Sequence, residues 1–399
     1  MVAVSLTGPR QGEGPRGPLE GIRVVELAGI GPSPFAAMLL SDLGADVIRV
    51  ERPGYHSPAN PVRPERDVLN RGRRSVAVDL KAREGVDLVL DLVAAADILL
   101  EGFRPGVTER LGVGPDECAQ VNPRLVYGRM TGWGQTGPLS HTAGHDINYI
   151  SLSGALAAIG TPEQPVIPLN LLGDFGGGGM FLALGVVAAL THARATGTGQ
   201  VVDASVLDGT TALSSIFFGF MADGLMDGPR GSNMLDGGCP YYQVYRCADG
   251  SWISVGALEP QFYREFIRGL GVGDDSVFLA GHDDQSLWPD LRRRTAELVA
   301  GRTRAEWMAV FDGTDACVSP VVEMRELADH PHNKERGLVI EVDGVEQPAP
   351  APRFSGTPLG VPTRPPLNGE HTVAALTSWG ISGDRIRSLL EGQVLVQRP

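Results

Sequence analysis

An α/β fold with two domains is predicted by three observations. From Ile22 to Phe103, short β-branched apolar runs alternate with helix-length amphipathic runs, which is the pattern of a parallel sheet wrapped by helices. The chain has 399 residues, more than one ordinary core holds. After Leu225 the pattern changes to a period-2 hairpin followed by helices, which reads as a separate, smaller α+β unit.

The elements follow in order. Residues 22–29, "IRVVELAG", read as a buried strand ended by glycine. "PSPFAAMLLSDLGA" follows as a helix, with Ser33 and Pro34 near its start and Gly44 near its end. "DVIRVERP" is a second strand, stopped by Pro53. "SVAVDLK", "AREGVDLVLDLVAAA" and "DILLEGF" repeat strand, helix, strand. The first third of the chain is therefore Rossmann-like. Residues 147–160 read as a helix, and residues 174–195 as a long apolar helix opened by Asp174 and a glycine run. "YYQVYRCADGSWISVGA" is a hairpin turning at Ala248-Asp249-Gly250. "EPQFYREFIRGLG" and "SLWPDLRRRTAELVAGRTRAEWMAVF" supply helices. "VEQPAPAPRFSGTPLGVPTRPPLNGEHT" reads as a connector without helix or strand, and a pair of short helices closes the chain. The expected division is a disordered tail over 1–18, a large Rossmann-like domain over 19–225, a small α+β domain over 226–335, and a connector with C-terminal helices over 336–399.

Composition narrows the function. A net charge of −13 disfavours general nucleic-acid binding but leaves room for a local basic pocket. The cysteines at 118, 239, 247 and 317 show no CxxC spacing, so reduced thiols in a cytoplasmic protein are expected, with no metal site. The N-terminal segment lacks the apolar core of a signal peptide, and the apolar run Met180–Leu190 is too short to span a bilayer; no membrane partner is expected. "AGIGPSP" lacks the third glycine role of G-x-G-x-x-G, which argues against a nicotinamide site.

Several residues carry possible chemistry. Asp174 reads as the N-cap of an apolar helix, and capping is the ordinary role of such an aspartate. The glycines behind it, Gly176, Gly177 and Gly178 among them, cost helix stability, which is understandable if backbone approaches a ligand and offers N–H groups to an oxyanion. His145 follows Gly144 in a loop, where a neutral imidazole can act as a base; Asp146 reads as a cap for the helix that follows. Glu259, ahead of Pro260, is either a helix-start carboxylate or an orienting partner for an imidazole. Arg52, Arg71, Arg73, Arg74, Lys81, Arg104 and Arg110 gather near the ends of the early strands, where an α/β sheet collects phosphates.

Together the stretches "LEGIRVVELAG", "SDLGADVIRVERP", "NRGRRSVAVDLK", "ADILLEGFRPGVTERLGVGP", "MTGWGQTGP", "LNLLGDFGGGGM" and "NGEHT" resemble the class III CoA-transferase superfamily over nearly the whole chain. "AGHDINYISLSG" and "MLDGGCPYYQVYRCADG" resemble its α-methylacyl-CoA racemase branch. The resemblance implies an interlocked homodimer of Rossmann-like and small domains, with the final helices returning to the large domain. It implies an acyl-CoA substrate and no cofactor beyond the CoA moiety. CoA would be held by Arg52, by Val78, Asp79, Leu80 and Lys81, by Gly102, Phe103 and Arg104, by Arg110, and by Gly144, His145, Asp146, Ile147, Asn148 and Tyr149. His145 and Asp174 would flank C2 of a 2-methylacyl thioester as an acid/base pair, with Glu259 reaching His145 from the other subunit. The resemblance also implies that the transferase branch uses the carboxylate at the Asp174 position as a nucleophile and typically lacks a histidine at position 145. A raised Asp174 pKa is expected, and Met180, Met221, Met226 and Met234 offer a pliable surface for the acyl chain. The nearest alternative is CoA transfer through an Asp174 anhydride; a non-catalytic acyl-CoA binder is the alternative from another class.

Overall fold

The computed structural model describes residues 17–55 and 60–398. The tail expected over 1–18 falls, through residue 16, outside the described residues. The chain forms two compact units: 17–153, 169–213 and 337–398 in the larger, 154–168 and 214–336 in the smaller.

The larger unit is built on β1 (Arg23–Leu27), α1 (Pro32–Asp42), β2 (Asp46–Glu51), β3 (Arg74–Val78), α2 (Arg83–Ala94), β4 (Ile98–Glu101) and β5 (Val126–Thr131). It continues with α3 (Asp146–Leu152), α4 (Met180–Thr196), β6 (Gln200–Ser205) and α5 (Val206–Leu213). The strands form one sheet in the order β3-β2-β1-β4-β5-β6, all parallel. This is the doubly wound order, with its switch point between β1 and β4. Alternation along the strands feeds two cores. Val25, Leu27, Ile48 and Leu99 pack against α2, whereas Val24, Val47, Ile98 and Leu100 pack against α1 and α4.

Strands β1, β2, β4 and β5 also bury charge. Glu26 of β1 is fully buried against Arg49 at 2.5 Å and Arg73 at 3.1 Å, and Glu101 of β4 against Arg129 at 2.8 Å. These pairs stand near the carboxyl ends of the strands.

The smaller unit holds β7 (Tyr242–Arg246), β8 (Trp252–Gly256), α6 (Pro260–Gly269), α7 (Trp288–Val299), α8 (Arg304–Phe311) and β9 (Val318–Val321). Its sheet is antiparallel in the order β7-β8-β9, around a core that includes Tyr245, Ile253, Phe266, Leu291 and Trp307. Met234 packs on that core, an ordinary filling role.

Four expectations need correction. The larger unit ends at Leu213, not at residue 225, and residues 154–168 fall in the smaller unit. The physical tie is Arg230, which donates to the carbonyls of Ala157 and Thr161 at 2.7 Å each. The helix expected over 147–160 stops at Leu152, because Gly154 turns the chain in the left-handed conformation. The connector begins with a hairpin, β10 (Val339–Val342) against β11 (Val345–Pro348). The apolar helix starts as α4 at Met180, and the glycine-rich segment before it, Leu172–Gly179, is a π-helix.

The C-terminal segment lies in the larger unit. Helices α9 (Thr372–Ser378) and α10 (Gly383–Glu391) join the core on the α2 side, and β12 (Leu395–Val396) pairs antiparallel with β3 as the sheet's last strand.

Candidate active site

The carboxyl ends of the parallel strands bring most of the expected residues to one edge of the larger unit. Arg52 follows β2, Asp79 to Lys81 follow β3, and Gly102 to Arg104 follow β4. Arg52, Lys81, Arg104 and Arg110 are all exposed there. The segments are held by their own chains: Lys81 N donates to Asp79 at 3.0 Å, and Phe103 N to Glu101 at 2.7 Å. Gly102 lies so close to α1 that a Cβ would stand 3.1 Å from the Ser33 Cβ.

Three of the expected basic residues do not belong to this edge. Arg71 is buried on Asp42, with further bonds to Gln347 and the Pro348 carbonyl. Arg73 is buried between Glu26, the Pro34 carbonyl and Asn70. Arg74 pairs with Asp46 at 2.6 Å. Charge alone could not separate these structural arginines from the exposed four.

The loop after β5 carries His145. Trp133 and Tyr149 meet edge to face at 4.7 Å, and the Tyr149 hydroxyl donates to the Gly144 carbonyl. A Cβ at Gly144 would stand 2.7 Å from the Tyr149 ring, so glycine is required there. His145 is the N-cap of α3; its N–H donates to Asn148 Oδ1 at 3.0 Å, and its carbonyl accepts from the Asn148 amide at 2.8 Å. The backbone is thus fixed while the imidazole is exposed.

Asp146 does not cap its own helix. Its carboxylate reaches the π-helix and accepts from the Asp174 amide at 2.7 Å and from the Gly173 amide. A Cβ on Gly173 would fall 2.2 Å from Asp146 Oδ1, which explains that glycine. Burial raises the pKa of Asp146, opposed by those two amides.

Asp174 is the third residue of the π-helix, not a helix N-cap. It is half-buried beside Gly31, at the β1–α1 turn, and Asn170 Nδ2 lies 3.5 Å from its Oδ2. Burial and the neighbouring Asp146 charge push its pKa up to about 6; Asn170 and the nearby His145 pull the other way. The structure therefore brings His145 and Asp174 together and gives Asp174 the raised pKa expected of it.

The glycine run has a different purpose from the one its sequence suggests. In a π-helix each N–H points to the carbonyl five residues back, so Gly176, Gly177 and Gly178 present no open N-terminal amides for an oxyanion. Their small size serves packing. A Cβ on Gly177 would meet the Thr210 Oγ1 at 2.3 Å, and one on Gly209 would meet the Gly177 carbonyl at 1.8 Å. The π-helix and α5 touch backbone to backbone.

Glu259 belongs to the smaller unit, as N-cap residue ahead of Pro260 in α6. Among the described residues no cluster of three His, Cys, Asp or Glu side chains could hold a metal ion.

The chain that folds into this doubly wound sheet matches a family model over most of its length. The chain belongs to CoA-transferase family III, whose model matches residues 19–372. It is 46% identical over 381 residues to the proteins named alpha-methylacyl-CoA racemase from Mus musculus and from Homo sapiens, spanning 94% of this chain and 97% of each of those. The crystal structure of a CAIB/BAIF family protein from Brucella suis matches with a TM-score of 0.78 at 27% identity, over 91% of this chain and 100% of that one.

Proposed function

We propose that the protein is an isomerase that inverts C2 of 2-methylacyl-CoA thioesters. The observation that carries this reading is the tether from Asp146, next to His145, to the amide of Asp174. It joins the backbone segments from which the two candidate proton-transfer groups extend. The racemase name of the relatives at 46% identity points the same way.

In one direction, neutral His145 takes the C2 proton, and the electron pair moves onto the thioester oxygen as an enolate. Protonated Asp174 then delivers a proton to the opposite face and is left as carboxylate. The opposite enantiomer reverses the roles. With a pKa of about 6, Asp174 exists in both forms near neutral pH. Each such group supplies on the order of 10²–10⁴-fold. With the glycine run committed, the N1 amide of Asp146 at the start of α3, which has no intrahelical acceptor, takes over as enolate donor. Arg52, Lys81, Arg104 and Arg110 bind the CoA phosphates.

The protein acts as a homodimer in this reading, with Glu259 of one copy orienting His145 of the other. Exposed apolar side chains support a partner surface: Leu169, Leu171, Met180 and Leu184 in the larger unit, Ile216, Phe218 and Met221 in the smaller. Within the helical stretch Leu169–Thr196 an 18-residue window reaches a mean hydropathy of 1.6, and the stretch is, by length and composition alone, long enough to cross a membrane, unlike the shorter apolar run read from the sequence. Leu182, Val186 and Leu190 on it are buried in the core of the larger unit, which favours a soluble dimer.

The test is incubation of (R)-2-methylacyl-CoA in D2O, following C2 by NMR. Deuterium gain with appearance of the S epimer is expected, and both His145→Ala and Asp174→Ala should abolish inversion. No exchange with any 2-methylacyl chain would sink the proposal and leave CoA transfer through Asp174 to be tested with added carboxylic acids.

A further inference from the structure

The motif "NGEHT", Asn368 to Thr372, takes no part in the proton transfer. Its loop is anchored on β3 without help from Asn368. Gly369 N donates to Ser75 Oγ at 2.8 Å, and His371 N to the Ser75 carbonyl at 3.0 Å. Thr372 Oγ1 donates to the Val396 carbonyl at 2.7 Å, and Glu370 pairs with Arg364 at 2.6 Å.

The side chain of Asn368 is directed elsewhere. Its Oδ1 accepts from the Gly54 amide at 3.0 Å, and its Nδ2 donates to the Arg52 carbonyl at 3.1 Å. Both bonds grip the turn after β2, on either side of Pro53. The turn is closed by Tyr55 N donating to the same Arg52 carbonyl at 3.2 Å, and Gly54 has φ +64°. The Arg52 guanidinium lies 6.0 Å from the centroid of the Tyr55 ring, and among the described residues no carboxylate pairs with it. A carboxamide that bonds the backbone on both sides of Pro53 sets the direction in which the Arg52 side chain leaves the sheet edge. It also lowers the ordering cost when that cation meets an anion.

We infer that Asn368 is a positioning residue for Arg52, and that together they set affinity for the phosphorylated nucleotide end of the thioester, not for its acyl end. The inference rests on the CoA reading of the sheet edge. An amide interaction of this kind is worth about five- to twentyfold in affinity.

The experiment compares wild type, Asn368→Ala, Asn368→Ser, Arg52→Ala and the double variant Arg52→Ala/Asn368→Ala. Two quantities are measured: the Kd for CoA by calorimetry, and kcat/KM for the same 2-methylacyl group carried on CoA or on pantetheine. The expected result is about five- to twentyfold weaker CoA binding in Asn368→Ala, with the preference for CoA over pantetheine falling by a similar factor. The double variant should be no weaker than Arg52→Ala. Wild-type affinity in Asn368→Ala, equal losses on both thioesters, or effects that multiply in the double variant would overturn the inference. If Asn368→Ala does not fold, Asn368→Ser, which is too short to hold both bonds and adds no charge, decides by the same criteria. If wild type binds no CoA, the reading of the sheet edge fails first and the inference falls with it.

Discussion

The Asp146 carboxylate accepts the amide of Asp174 at 2.7 Å and so ties the residue beside His145 to the backbone of Asp174. The two backbone segments are thereby held together by a part-buried, charge-assisted bond.

Asp146 therefore acts through geometry and through charge, and two substitutions separate these. Asp146→Ala removes the acceptor for both amides and should lower kcat on the order of 10²-fold, as expected for a misplaced group. Asp146→Asn keeps an acceptor oxygen but removes the charge that raises the pKa of Asp174. The Asp174 ionisation in the pH profile of kcat/KM should move below 6 in this variant. A profile that coincides with wild type would contradict the electrostatic half of the argument.

Asp174 should cost the protein stability at neutral pH. Its native pKa of about 6 exceeds the ordinary 3.8, so the folded state holds the proton more tightly than the unfolded chain does. Below the ordinary value both states are protonated and the cost vanishes; above 6 both are ionised and it is complete. Asp174→Asn should raise stability at pH 7.5 by roughly 1–3 kcal/mol, with the gain shrinking as pH falls toward 4. Thermal melts at several pH values check the sign directly.

Gly177→Ala should disrupt the contact between the π-helix and α5. The added Cβ would sit 2.3 Å from the Thr210 Oγ1 and 2.6 Å from the Thr210 amide, and the second of these is backbone. A loss of about 1–3 kcal/mol or more is expected, read from urea denaturation. Racemisation should fall with it, because Asp174 lies on the same segment.

Glu26 tests the buried charges of β1. Removing it by Glu26→Ala leaves Arg49 and Arg73 buried without their shared carboxylate. About 3–5 kcal/mol of destabilisation is expected, with no specific effect on the acid/base pH profile. Denaturant midpoints measure the first and deuterium exchange kinetics the second.

The sheet was legible because its signals are local. Alternating Val24 and Val25, then Ile98 and Leu99, state which core each residue enters before any partner is known. His145 and Asp174 were legible as a pair through resemblance, and through the glycines around them. The reason for those glycines was not: Gly177 answers to Gly209 and Thr210, which no local pattern connects to it. A π-helix has no sequence rule comparable to a cap or a turn, so Asp174 read as an N-cap. Asp146 looked like a cap for its own helix, and that local rule lost to an amide 28 residues away. Arg71 and Arg73 resembled phosphate ligands because charge in sequence carries no burial. Asn368 stood out only as the first residue of "NGEHT"; its role was not legible, since its partners lie more than 300 residues earlier.

The last strand of the sheet has a consequence for biosynthesis. β12 covers the outer edge of β3, and its two residues, Leu395 and Val396, are translated more than 300 residues after the strand they pair with. Until they leave the ribosome, the nascent chain carries an unpaired parallel edge, a template for wrong pairing with another chain. The smaller unit, complete at Arg336, can close while translation continues, but the sheet of the unit that holds His145 and Asp174 is finished only once Val396 has emerged.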